Sequence, residues 1–97
     1  PKHPCPTCRR LLESPWVRKE AERLKRGRPT GLEGEALLVA RHLARQSLLR
    51  EMEALYPQAL RDETLRPLLR DLAQRFRTLF PGETLPEAVR SLLAKEA

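Results

Sequence analysis

The side chains that favour a pleated sheet are nearly missing from this chain: there is no Ile, and only three Val and five Thr occur among 97 residues. β-Branched residues suit strands, whereas the Leu, Ala, Glu and Arg abundant here lose little rotamer freedom in a helix. The expectation is an all-α fold, a small helical bundle of about four helices with an irregular N-terminal knuckle. A chain of this length buries a modest share of its surface, so an added staple would matter to it. Residues 1–97 read as a single domain, with 1–13 a Cys-containing knuckle and 14–97 helical.

Local punctuation places the helices. Ser14 followed by Pro15 is an N-cap with Pro at the first helical position, and Lys25, Arg26 and Gly27 supply a cationic last turn and a C-terminal Gly, so a helix is expected over about 15–26. Thr30-Gly31-Leu32-Glu33 has the spacing of a capping box and opens a longer helix expected to stop at Tyr56, before Pro57. Its apolar face would be Leu37, Ala40, Ala44, Leu48, Met52 and Leu55, widened by Leu38, Leu49 and Tyr56. Thr64 would cap a third helix with Pro67 in its first turn, and Leu65, Leu68, Leu69, Leu72, Phe76, Leu79 and Phe80 repeat at helical spacing. Thr84-Leu85-Pro86-Glu87 is a second capping box before a short last helix.

Both cysteines lie in one short stretch, Cys5-Pro6-Thr7-Cys8, two residues after His3. A Cys-x2-Cys turn aims two thiolates at one point, which is half of a tetrahedral zinc site. The only other His is His42, so the expected structural Zn site is Cys5, Cys8, His3 and His42. Four ligands leave no open position for substrate. A redox role for the pair would need a strand-helix context that the sequence lacks.

A formal net charge of +6 points to a polyanionic partner. Lys25-Arg26-Gly27-Arg28-Pro29 stands between two helices, with Arg9, Arg10, Arg18 and Lys19 upstream. Arg26-Gly27-Arg28-Pro29 resembles the core of an AT-hook, and Gly27-Arg28-Pro29 resembles the arm before the helix-turn-helix of resolvase-type recombinases. The resemblance covers four to six residues and implies an extended segment whose arginines enter a narrow A·T minor groove. A Gly C-cap and a Pro helix stop account for the same residues without a ligand.

The chain has no Gly-rich phosphate loop, no nucleophile beside a base and no His-Glu-x-x-His, so no enzymatic role is expected. No apolar run approaches the ~18 residues of a membrane span, and no signal peptide is recognisable, so a cytoplasmic location is expected. The reading is a small basic nucleic-acid-binding protein, a DNA-binding regulator or phage-type accessory factor, with DNA favoured over RNA. Arg26 and Arg28 would contact the minor groove or phosphates, with Lys25, Arg9, Arg10 and Lys19 on phosphates. The alternative is a helical protein-protein interaction or dimerisation module, whose Leu-rich faces bury a partner or a second copy.

Overall fold

Ser14 is the first junction the sequence marks and the first the structure uses: its hydroxyl accepts from Val17 N at 3.3 Å, and Pro15 begins the helix that follows. The computed structural model describes residues 6–96, with side chains from 9 to 95. The helices are α1 (Pro6–Glu13), α2 (Pro15–Lys25), α3 (Gly34–Arg61), α4 (Arg66–Leu79, entered through a 3-10 turn at Glu63–Leu65) and α5 (Glu87–Glu96). The fold is all-α, with no strand among the described residues, and none of the described helices is long and apolar enough to cross a membrane.

Five helices replace the expected four, because residues 6–13 are helical where an irregular knuckle was expected. Pro6 sits at the first helical position, where its missing N–H costs no hydrogen bond. Leu11, on the last turn of α1, packs on the buried cluster of α2 and α3, which rewards the helical conformation with burial. Residues 1–5 of the expected metal-bound knuckle, with His3 and Cys5, lie outside the described residues.

Two compact units divide the chain at residues 46 and 47, within α3. In the first, Val17, Ala21, Leu32 and Ala40 form the buried centre, with Leu11, Leu24, Ala36, Leu37, Val39 and Leu43 packed around it. The helix α2 turns Val17, Ala21 and Leu24 inward because residues three and four apart share a face. Arg18 Nε donates to the Leu12 carbonyl at 2.9 Å, satisfying an end group of α1.

Between α2 and α3 the expected capping box does not close. The Thr30 hydroxyl accepts from Leu32 N at 3.3 Å, two residues on, and α3 starts at Gly34 with its first bond from Leu37 N to the Glu33 carbonyl at 3.5 Å. Gly34 has φ +60°, a left-handed turn that a residue with a Cβ rarely makes. The local turn places Leu32 in the core, so its burial outweighs the box.

In the second unit, Leu48, Met52, Ala59, Leu69, Ala73, Phe76, Phe80, Leu85, Val89 and Leu92 are buried. The Phe76 and Phe80 rings meet with centroids 5.3 Å apart at 46°. Pro57 does not end α3, which runs on to Arg61. The Arg66 guanidinium supplies donors at that end, Nε to the Ala59 carbonyl at 2.9 Å and Nη2 to Leu60 at 3.4 Å, and the buried Ala59 adds packing. These offset a proline cost of about 3 kcal/mol. Thr64 does not cap α4, whose N-cap position is Leu65 with no side-chain cap bond. Asp62 instead caps the 3-10 turn that precedes it, its carboxylate accepting from the Thr64 hydroxyl at 2.6 Å and from Thr64 N at 2.9 Å, and these bonds hold its pKa below the ordinary value. The last helix begins at Glu87, two residues later than a box opened by Thr84 implies, with Arg90 N donating to the Pro86 carbonyl at 3.0 Å.

The expected face of α3 is realised at Ala40, Ala44, Leu48 and Met52, all buried. Leu38, placed on that face by sequence, is 66% exposed. It precedes Ala40 by two residues, about 200° around a helix, so it cannot share that stripe. Phe76→Ala should therefore cost about 3–5 kcal/mol in denaturant unfolding, while Leu38→Gln should stay within about 0.5 kcal/mol of the parent.

Candidate nucleic-acid interface

Helical spacing gives α2 a second face beside its apolar one. Trp16, Lys19, Arg23 and Arg26 follow one another at intervals of three and four, with Glu20 one turn after Trp16, on a face centred roughly 130° from the stripe of Val17, Ala21 and Leu24. With Glu22 and Arg28 they line a half-open depression of about 510 Å³. Trp16 is 61% exposed, unusual for a side chain whose ring would gain so much from burial.

The rim of this depression is set by how α2 ends. Arg26 is the C-cap and Gly27 follows at φ +80°. Arg28 N donates to the Arg23 carbonyl at 2.9 Å and Gly27 N to the Leu24 carbonyl at 2.9 Å, the paired bonds of a Schellman motif. Arg23 returns a bond from its own Nε to the Pro29 carbonyl at 3.2 Å, tying the outgoing chain to the last turn. The Arg26-Gly27-Arg28 segment that resembles an AT-hook core is thus folded as a helix cap, and an extended form would have to break both cap bonds.

Charge is unevenly matched on this face. Glu20 lies 4.0 Å from Arg23 and Glu22 lies 3.4 Å from Lys25, both within α2. Lys19, Arg26 and Arg28 have no carboxylate partner among the described residues. Such exposed pairs within a helix are weak, so the two glutamates reduce the local field without closing the face to an anion.

The expected nucleic-acid residues therefore separate. Lys19, Arg26 and Arg28 come together on one depression. Lys25 does not join them: its side chain is 15% exposed and turned to Glu22. Arg9 and Arg10 are exposed on α1 and do not line the depression, and Arg18 is engaged with the Leu12 carbonyl. Trp16 and Arg23 complete the depression and were not singled out by the sequence reading. Their signal was present in the interval from Trp16 through Lys19 and Arg23 to Arg26.

Of the expected zinc ligands, His3 and Cys5 lie outside the described residues, and Cys8 is in the first two turns of α1 with its side chain undescribed. His42 is exposed on α3, about 200° from both Ala40 and Ala44 and so on the side away from the buried stripe. Among the described residues no cluster of three His, Cys, Asp or Glu side chains could hold a metal ion. The chain matches no family model, no curated protein and no solved structure.

The cap makes its own claim about Gly27. A Cβ there meets nothing within 4 Å, so the strain of replacement is purely conformational. Gly27→Ala should lower unfolding stability by about 1–2 kcal/mol with no DNA present, as measured by thermal or denaturant melts.

Proposed function

We propose that this is a small basic DNA-binding protein that holds phosphates with the cationic face of α2 and its C-terminal cap. The observation that carries the reading is the convergence of Lys19, Arg26 and Arg28, none matched by a carboxylate among the described residues, on one depression. Guanidinium groups match phosphate oxygens with paired donors, and a lysine adds a point charge. Arg9 and Arg10, exposed on the neighbouring α1, would extend the positive field along the strand. Because Arg26 and Arg28 belong to a closed cap, they serve here as phosphate contacts held in place, without inserting into a minor groove.

Phosphate contacts release counterions, so binding to generic duplex DNA should weaken steeply with salt. Arg26→Ala with Arg28→Ala should reduce the slope of log K against log salt by roughly two, one for each lost contact, and weaken A·T-rich and G·C-rich duplexes alike. Changing Arg75 and Arg77 to Ala should do less, since Arg75 is already bound to Asp71 at 3.3 Å on α4. Electrophoretic titration at several salt concentrations measures all three proteins. No affinity for DNA at low salt would leave the protein-interaction reading, which the exposed Leu60 and Leu68 of the second unit favour.

A structural zinc ion is part of the same proposal, resting on the Cys5-x2-Cys8 spacing. Two thiolates at that spacing can share one tetrahedral ion, and binding it would add to folding stability. Reduced protein purified without chelator should carry about one zinc per chain by elemental analysis, and Cys5→Ser with Cys8→Ser should abolish it. Metal-free parent protein would remove zinc from the proposal and leave the α2 face untouched.

A further inference from the structure

An exposed tryptophan is an odd neighbour for phosphate-binding cations if the ligand is an intact duplex. In a duplex the bases are stacked inside the helix, and a phosphate-contacting face gains nothing from an indole ring that no base can reach. Here the ring of Trp16 shares one depression with Lys19, Arg23, Arg26 and Arg28, and the apolar side of α2 is already occupied by Val17, Ala21 and Leu24. Trp16 therefore has no packing duty in the core of its own unit: it is 61% exposed, while Val17 beside it is completely buried.

We propose that this depression is a single-stranded DNA site in which an unpaired base stacks on Trp16 while the flanking phosphates are held by Lys19, Arg26 and Arg28. The proposal rests on the DNA-binding reading and deepens it by naming the form of DNA that the site takes. Charge complementarity points to a polyanion, and the aromatic face selects a polyanion whose bases are free to leave the stack. Stacking on an aromatic ring tolerates any base, because every base presents a π-face, so the site discriminates strandedness and not sequence. The depression is about 510 Å³ and open on one side, enough to admit a nucleotide while the rest of the strand stays in solvent. The Schellman cap matters to this site because it fixes Arg26 and Arg28 one after the other at the end of the same helix that carries Trp16.

Trp16 is the only tryptophan in the chain, which makes its emission a report from the site alone. The full chain is titrated with an oligothymidylate of about ten nucleotides, with the same length of duplex, and with an RNA strand of uridylates. The expected result is strong quenching of Trp16 emission by the DNA single strand, tighter binding of that strand than of the duplex, and little quenching by the duplex. Trp16→Ala should weaken single-strand binding by roughly tenfold or more while leaving the duplex affinity near that of the parent, and Trp16→Phe should recover most of the loss. Helicity unchanged by circular dichroism is expected for both variants, given how exposed the residue is, and the duplex affinity of each serves as a second check that it is folded.

Equal affinity for single strand and duplex, with unaltered emission, would overturn the stacking site and leave salt-dependent DNA binding standing. Failure of every nucleic acid to bind at low salt would overturn both together. A uridylate strand bound more tightly than the thymidylate strand would overturn the choice of DNA.

Discussion

The buried stripe of α3 is the constraint on which the rest of the structure depends. Ala40, Ala44, Leu48, Met52 and Ala59 are all inaccessible, and the helix contributes apolar surface to the buried centre of each unit. The stripe begins with alanines, which offer nothing beyond a Cβ, so their complete burial requires neighbouring elements to come close to the helix surface. In the first unit that close packing brings Ala40 together with Val17, Ala21 and Leu32. Once Val17 and Ala21 are committed to this contact, the orientation of α2 about its own axis is set, and the side of α2 turned away from it is left for Trp16, Lys19, Arg23 and Arg26.

The candidate site is thus a consequence of how one helix is buried and how it stops. Burial decides which face of α2 meets solvent, and the Schellman cap decides where Arg26 and Arg28 stand relative to that face. The acidic residues on the same helix are matched internally, Glu20 to Arg23 and Glu22 to Lys25, so the cations left over are those nearest the cap and Lys19. A positively charged helix end is favourable in itself, because the last turn carries unsatisfied carbonyls and the negative end of the helix dipole. The stabilising arrangement and the anion-attracting one are therefore the same residues serving two roles, and Gly27 is the hinge between them.

Several local rules gave way to longer-range contacts. Pro57 ought to stop a helix, and α3 passes through it because Arg66 donates to the carbonyls at the far end and Ala59 is buried beyond it. The Thr30-x-x-Glu33 spacing ought to form a capping box, and the chain instead uses the Thr30 hydroxyl for a tighter turn that delivers Leu32 to the core. The N-terminal prolines suggested irregular backbone, and one of them, Pro6, begins a helix that Leu11 anchors. In each case a preference worth a few kcal/mol at most competes with hydrophobic burial of similar size, and residues distant in sequence decide the outcome.

By itself the sequence determined the all-α class, through the scarcity of β-branched side chains, and the positions of α2 and of the apolar stripe on α3 and α4, through caps and helical periodicity. It also showed an excess of positive charge and grouped much of it near residues 18–28. Only the tertiary structure decided which of those cations are available. Arg18 is drawn to the Leu12 carbonyl of α1, and the Lys25 side chain, paired within α2 to Glu22, is left only 15% exposed, while Lys19, Arg26 and Arg28 remain open around Trp16. The physical reason is that periodicity is a property of a chain segment, fixed by backbone geometry alone, whereas the availability of a charge depends on which partners packing brings within hydrogen-bond reach.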